Sequence, residues 1–200
     1  MPPTEFTPSI ASRPTYAVLV PQGSAPAVMV ADRAGAAALV DLAARDAAVM
    51  DRAQVVLVAA PPELRARLEA LAPATLREAA DADGAAALLS AALASARMGT
   101  RLYLAGSEGL IGRMTATALA AGMLPGAIQA EHRGTLARRM QCVHCKTITE
   151  AVATDPFACA GCGRILYVRD HFSRRIGAFQ GVCVDAEAPG EIPAAQEIRA

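Results

Sequence analysis

The sequence of 200 residues has no tryptophan, only 4% aromatic residues, and no excess of either charge, since 19 Lys and Arg balance 19 Asp and Glu. A net charge of zero gives no sign of the basic character that proteins use to bind nucleic acids or anionic membranes. The apolar fraction is 54%, and much of it is alanine. Such small side chains favour close packing of helices on a sheet over a large aromatic core.

Long hydrophobic runs are also missing. No stretch reaches the roughly 18 uncharged apolar residues expected of a membrane helix. The start, Met-Pro-Pro-Thr-Glu-Phe, has neither the basic nor the apolar region of a secretory signal peptide. Five cysteines, four of them in Cys-x-x-Cys pairs, are typical of metal ligands in a reducing compartment. We therefore expect a cytoplasmic protein that binds neither membrane nor nucleic acid.

The pattern along the chain predicts two folded parts. Four prolines within residues 1–14 indicate a flexible arm. Over residues 15–132, strand-like and helical patterns alternate, which predicts a small parallel sheet with flanking helices. Gly134 marks the boundary, and a small β module over residues 136–185 follows, with a flexible tail at 186–200. The fold class is thus α/β followed by a module of the zinc-ribbon or rubredoxin type.

The first part contains six expected strands and four expected helices. The first two strands flank a Pro-Gln-Gly-Ser turn and are either separate strands or a hairpin. The expected strands are 16–20, 27–30, 54–60, 75–78, 102–104 and 127–131. The expected helices are 33–50, 62–71, 83–98 and one from 107 to about 122. Asp81 or Asp83 is the expected N-cap of the third helix.

The strongest chemical signal is the spacing of four cysteines in the second part. Cys142 and Cys145 form one Cys-x-x-Cys turn, thirteen residues follow, and Cys159 and Cys162 form a second. Each turn can point two sulfurs at one centre, and Zn²⁺ prefers four thiolates arranged as a tetrahedron. We predict a structural zinc ion. A closed four-thiolate site leaves no open position for a substrate, so the metal would stabilise the fold and not catalyse.

Iron in a rubredoxin-like site is the rival interpretation, because it uses the same ligands. Rubredoxins usually have glycine after both turns, whereas Lys146 follows the first turn here, which favours zinc. His144 could replace a cysteine as ligand, but four thiolates suffice, so we expect an exposed imidazole. The fifth cysteine, Cys183, is expected to be a small buried hydrophobic residue.

Residues 100–132 resemble the end of the pyridine-nucleotide domain of the ferredoxin-reductase family. In that family a strand ends in Cys-Gly-Pro and a helix follows; here Ala105-Gly106-Ser107 occupies that place. The order of elements also fits over residues 26–132. The phosphate-binding Gly-rich turn is replaced by residues 31–35 (ADRAG), where Asp32 would repel phosphate although Arg33 could attract it. We expect a degenerate relative, kept for packing or docking.

The second part resembles the small, A-type subunit of bacterial dimethylamine monooxygenase. The likeness rests on both Cys-x-x-Cys turns and on residues 169–175 (RDHFSRR) and 181–185 (GVCVD), which a generic zinc ribbon does not need. The resemblance implies a complex that oxidatively demethylates dimethylamine to methylamine and formaldehyde with NAD(P)H and O₂. It also implies a haem-binding oxygenase subunit as one partner and a reductase subunit with flavin and a [2Fe–2S] centre as another.

The chain itself shows no flavin or haem site and no plant-type cysteine spacing for [2Fe–2S]. His171 could ligate haem, but a surface histidine is favoured. Arg169, Arg174 and Arg175 form either contacts to an acidic partner or a solvated basic strip. We expect an accessory subunit without catalytic or cofactor-binding residues of its own. A rubredoxin-like electron carrier and a nucleic-acid-binding zinc ribbon are the alternatives, and the weak charge and few aromatics argue against the last.

Overall fold

The computed structural model describes residues 12–199 of the chain, and within them it contains two five-stranded sheets and a two-stranded ribbon. The predicted flexible arm at residues 1–14 lies largely outside the described residues. Within the described part, no helix is both long enough and apolar enough to span a membrane.

The first sheet is entirely parallel, as the alternation of patterns predicts. Its strands are β1 (Ala27–Asp32), β2 (Ala53–Val58), β3 (Thr75–Ala79), β4 (Arg101–Gly106) and β5 (Ile128–His132). The helices are α1 (Ala36–Arg45), α2 (Pro62–Glu69), α3 (Ala82–Ala94) and α4 (Glu108–Ala120), with 3-10 helices at Ala47–Arg52 and Pro125–Ala127. The strand order is β3-β2-β1-β4-β5, so the order reverses between β1 and β4.

The central strands are apolar on both faces because helices cover both sides of the sheet. Met29, Leu57 and Tyr103 are buried in one cluster with α1, while Val30 and Leu104 are buried in the other with α3 and α4. The start of α3 also agrees with the prediction from the sequence. Asp81 is the N-cap of α3 and accepts a hydrogen bond from the Gly84 amide at 2.9 Å.

The segment at 16–20 differs from its prediction, because it forms neither an assigned strand nor a hairpin with β1. The neighbours of β1 are β2 and β4. The segment instead runs beside the edge strand β5, where the Leu19 amide donates to Glu131 at 2.8 Å and Val20 exchanges hydrogen bonds with the Gln129 side chain. Leu19 is fully buried. The segment thus covers the exposed edge of the sheet mostly through side chains.

The β module contains the second sheet. Its strands are β6 (Arg138–Cys142), β7 (Ile148–Val152), β9 (Phe157–Ala158), β10 (Ile165–Ser173) and β11 (Ala178–Cys183), in the order β7-β6-β11-β10-β9. A separate ribbon pairs β8 (Thr154–Asp155) with β12 (Gln196–Glu197). The Ile198 amide also donates to the Ala153 carbonyl at 2.9 Å. Residues 196–198 of the predicted tail are therefore hydrogen-bonded to the module.

A buried ion cluster joins the two parts of the molecule. Glu108 begins α4 in the first part, and Arg138 begins β6 in the second; their side chains are both nearly inaccessible and lie 3.3 Å apart. Arg138 also contacts Asp170 of β10 at 2.9 Å, and Arg13 contacts the same carboxylate at 3.3 Å. The Tyr16 hydroxyl donates to the other oxygen of Glu108 at 3.1 Å. The two sheets are thus linked by a cluster of charges that is buried except at Asp170, whose side chain is partly exposed.

Candidate metal centre

The first cysteine turn lies between β6 and β7, and we call residues 142–147 the first knuckle. The Cys142 amide donates to the Thr147 carbonyl, and the Lys146 amide donates to the Cys142 carbonyl, both at 3.0 Å. These two bonds reverse the chain within six residues. As a result, the side chains of Cys142 and Cys145 lie on the same side of the turn.

The second knuckle, residues 159–164, repeats this geometry between β9 and β10. The Cys159 amide donates to the Arg164 carbonyl at 2.9 Å, and the Gly163 amide donates to the Cys159 carbonyl at 3.0 Å. The residue after each second cysteine has a left-handed backbone, with φ of +71° at Gly163 and +64° at Lys146. Glycine adopts this conformation freely, whereas it is costly for lysine.

The four sulfurs of the two knuckles converge on one point. All lie within 4.8 Å of one another, with 3.9 Å between Cys142 and Cys162 and 3.6 Å between Cys145 and Cys159. A tetrahedron of sulfurs about 2.3 Å from a zinc ion has edges of about 3.8 Å. A disulfide would need about 2.05 Å, so these thiols are not cross-linked. The donor set and its spacing therefore fit a tetrahedral metal ion.

The surroundings of the sulfurs divide the four ligands into two kinds. Cys142 and Cys159 are buried, and burial raises the pKa of the Cys142 thiol to about 11. Cys145 and Cys162 are half-exposed, and hydrogen bonds from Thr147 lower the pKa of Cys145 to about 6. A hydrogen bond from the Arg164 backbone likewise lowers the pKa of Cys162. Donors aimed at a sulfur stabilise its thiolate, which is the form that binds metal.

His144 and Cys183 lie outside the group of converging ligands. His144 is exposed, and its Nδ1 accepts a hydrogen bond from the Arg164 guanidinium at 2.9 Å, a contact that bridges the two knuckles. The exposed imidazole expected from the sequence is therefore confirmed. Cys183 is half-buried and donates to the Asp185 carboxylate at 3.0 Å, a bond that raises the pKa of its thiol. The expectation of a simple buried hydrophobic residue is wrong, because its sulfur has a polar partner.

The basic residues of the 169–175 run do not form one strip. Arg169 and His171 line a cavity of about 950 Å³ beside β10, and the C-terminal segment with β12 forms another wall of it. Arg174 and Arg175 are exposed in the turn between β10 and β11. Asp170 and Arg138 also line this cavity and belong to the buried ion cluster. The run thus has a structural role at Asp170, which its sequence alone does not reveal.

The crevice where a parallel α/β domain would bind a ligand lies at the carboxyl ends of β1 and β4, where the strand order reverses. The Asp32 carboxylate occupies this place. It accepts hydrogen bonds from the backbone amides of Ala34 at 3.0 Å, Gly35 at 2.9 Å and Ser107 at 2.9 Å. Amides at the start of a helix are the groups that cradle a phosphate. The Asp32 carboxylate therefore accepts hydrogen bonds from the backbone amides that a phosphate would need.

Fold and site together define a two-part protein, a parallel α/β domain followed by a β module whose four cysteines could hold a metal ion. Both parts match known families. Residues 8–128 match the model of the N-terminal domain, and residues 139–182 that of the C-terminal domain, of "Dimethylamine monooxygenase subunit DmmA-like" proteins. The chain belongs to this family, as the resemblance of its sequence motifs indicates.

One curated relative extends the comparison. The chain is 42% identical over 102 residues to a protein from Ectopseudomonas mendocina (strain ymp) named "Heme-dependent oxidative N-demethylase delta subunit". That alignment covers 51% of this chain and 58% of the relative, so the chain spans little more than half of the relative's length.

Proposed function

We propose that the chain is an accessory subunit of an oxygenase complex that oxidatively demethylates dimethylamine with NAD(P)H and O₂. In this proposal the haem belongs to a partner oxygenase subunit, and flavin and a [2Fe–2S] centre belong to a partner reductase subunit. The chain organises these partners and has no catalytic residue of its own. The match to both DmmA-like domains is the observation on which the proposal rests, and the name of the curated relative supports it.

The proposed metal is a structural zinc ion held by Cys142, Cys145, Cys159 and Cys162. When bound, the ion supplies a cross-link between the two knuckles, which otherwise meet through the Arg164–His144 hydrogen bond and the close packing of Gly161 against Thr147. The β module needs such a link, because strand β9 has only two residues and pairs with β10 at only two positions. Four protein thiolates complete the coordination of zinc, so no position remains for substrate or water.

The crevice of the α/β domain supports the assignment of the cofactors to partner subunits. The Asp32 carboxylate accepts hydrogen bonds from the amides of Ala34, Gly35 and Ser107. Because these amides are already paired, this chain has no evident place for the pyrophosphate of NAD(P)H. We therefore assign the nucleotide to the reductase partner. The α/β domain of this chain then serves as a rigid body onto which the β module is fixed.

The proposal is tested by affinity purification of the tagged chain from cells grown on dimethylamine, followed by metal and haem analysis. We expect a haem-containing protein and a flavin-containing protein to co-purify with a colourless, zinc-bound chain. A control purification uses Cys159→Ser, which should recover less of both partners. A chain that is purified without any haem protein would contradict the subunit role. A red chain that contains iron would instead support an electron carrier.

A further inference from the structure

A cavity of about 950 Å³ lies beside β10, and we call it the β10 cavity. Strand β10 has nine residues, but β9 pairs with only the first two of them, Ile165 and Leu166. Strand β8 pairs with β12 instead, so within residues 12–199 no strand pairs with the rest of β10 on this side. Residues of the C-terminal segment, from Pro193 to Arg199, form the opposite wall. The cavity is therefore the gap that remains where the second sheet ends.

Two side chains satisfy backbone amides of β10 at this gap. The Val168 amide donates to the Asp155 carboxylate at 2.9 Å, and the Phe172 amide donates to the Ser12 hydroxyl at 3.4 Å. Because these side chains take the place of a neighbouring strand, the edge of β10 is stable without one. The volume of the gap is in the range of cavities that bind small molecules, about 300–1,000 Å³.

One wall of the β10 cavity has a polar half and an apolar half. Arg169 of β10 pairs with Gln180 of β11, and two residues along the strand Tyr167 pairs with Val182. Side chains of paired residues, and of residues two apart in one strand, lie on the same face of a sheet. All four residues line the cavity. This wall thus presents a guanidinium and a carboxamide next to an aromatic ring and a branched aliphatic side chain.

The charges of the lining favour an anionic ligand. Four arginines line the cavity together with three acidic residues, which leaves an excess of one positive charge. The charged residues are Arg13, Arg138, Arg169 and Arg199, against Asp155, Asp170 and Glu197. Asp170 is paired with Arg13 and Arg138. Arg169, in contrast, has no ion pair or side-chain hydrogen bond to any residue that the structure describes. Its guanidinium is therefore available to a carboxylate, which matches the geometry of its donors.

We propose that the β10 cavity binds a small carboxylic acid with an apolar body. Arg169 and Gln180 hold the carboxylate, and the apolar body lies on Tyr167 and Val182, covered by the C-terminal segment. One carboxylate matches the single excess charge of the lining. This inference does not rest on the proposed function, and it gives the chain a ligand site besides the cysteine cluster.

An NMR titration of the full chain with phenylacetate tests the site, and phenylacetamide is the uncharged control ligand. Phenylacetate should bind saturably with a dissociation constant of about 1 mM or lower, as expected for a ligand of its size. Phenylacetamide should bind at least about tenfold more weakly, since it cannot form charge-assisted hydrogen bonds with Arg169.

Two variants test the two halves of the wall separately. Arg169→Gln should raise the dissociation constant at least about tenfold, because the carboxylate loses its cation. Tyr167→Ala should raise it about threefold to tenfold, because the apolar body loses its contact. Both side chains are exposed, so both variants should fold, which urea denaturation checks. The matched control is Arg175→Gln, at an exposed arginine that does not line the cavity, and it should change the constant less than about twofold.

Three results would overturn the site. The first is a wild-type chain without saturable binding of phenylacetate up to about 10 mM. The others are equal affinities for phenylacetate and phenylacetamide, and equal affinities of Arg169→Gln and the wild type, because the carboxylate would then not be recognised. All three leave the subunit role untouched, so failure of this inference is distinguishable from failure of the proposed function.

Discussion

Gly112 of α4 and Gly177 of the β10–β11 turn touch through their backbones. A Cβ atom placed on Gly112 would lie 2.6 Å from the Gly177 carbonyl oxygen, closer than real Cβ contacts allow. Gly177 also has a φ of +67°, which favours glycine for a second reason. This contact, together with the buried ion cluster, sets how the β module sits on the α/β domain.

Substitution of Gly112 tests that contact. Gly112→Ala should lower the free energy of unfolding by about 1–3 kcal/mol, because the added methyl group forces the helix and the turn apart. The matched control is Gly109→Ala in the same helix, where a Cβ would meet nothing within 4 Å. That variant should be as stable as the wild type or slightly more stable. Urea denaturation measures both, and equal effects at the two positions would refute the close approach.

Removal of a charge from the buried ion cluster should lower the free energy of unfolding more than Gly112→Ala does. Arg138→Met should lower the free energy of unfolding by about 3–5 kcal/mol, because it leaves the Glu108 carboxylate buried without its cation. Adding Glu108→Gln to this variant should restore part of the loss, since the buried charge is then gone. Urea denaturation of the single and double variants forms a double-mutant cycle. Additive effects of the two changes would show that the pair is not coupled.

The Glu108–Arg138 pair also predicts how the stability of the variants depends on pH. Burial raises the pKa of Glu108, whereas Arg138 opposes the rise. A carboxyl whose pKa is raised by folding favours the folded state below its unfolded pKa of about 4.3, and this contribution is lost as the pH rises through the folded pKa. The stability difference between Arg138→Met and Arg138→Met/Glu108→Gln should therefore be smaller at pH 5 than at pH 7.5. A difference that does not change with pH would argue against a titrating Glu108.

The hydrogen bonds of the Asp32 carboxylate predict that its loss destabilises the fold and that the wild-type chain does not bind NADPH. Asp32→Ala should lower the free energy of unfolding by about 1–3 kcal/mol, because three backbone amides lose their acceptor. Asp51→Asn, at an exposed aspartate, is the control. In calorimetric titrations the wild-type chain should show no saturable binding of NADPH. Submillimolar binding of NADPH to the wild type would mean that Asp32 does not close the crevice.

Features encoded by neighbouring residues could be predicted from the sequence, whereas contacts between distant residues could not. The Val-Val-Leu-Val run predicts a buried strand, and β2 contains it. The spacing of the four cysteines predicts that their sulfurs converge, and they do. The Glu108–Arg138 pair and the Gly112–Gly177 contact join residues far apart in sequence, so no local pattern identifies them. The segment at 16–20 has a strand-like pattern because Leu19 is buried, yet its hydrogen bonds go mainly to side chains of β5. Asp32 could be recognised as unfavourable for phosphate, but its three amide contacts require the folded crevice.

Removal of the proposed zinc ion should unfold the β module and leave the α/β domain folded. A strong chelator, or the substitution Cys159→Ser, should have this effect, because the metal joins only the two knuckles. Hydrogen exchange measured by mass spectrometry should show faster exchange in residues 138–183 and little change in residues 27–132. Cys183→Ser is the control, since Cys183 lies outside the cluster, and it should keep its metal. Slow exchange of the β module after metal removal would contradict a structural role for the ion.

X-ray absorption spectroscopy of the purified chain at the zinc edge, combined with metal analysis, tests the proposed metal centre most directly. We expect one zinc ion per chain with four sulfur ligands at about 2.3 Å and no nitrogen ligand. Substoichiometric metal with disulfide-bonded cysteines, or a histidine among the ligands, would refute a four-cysteine zinc site.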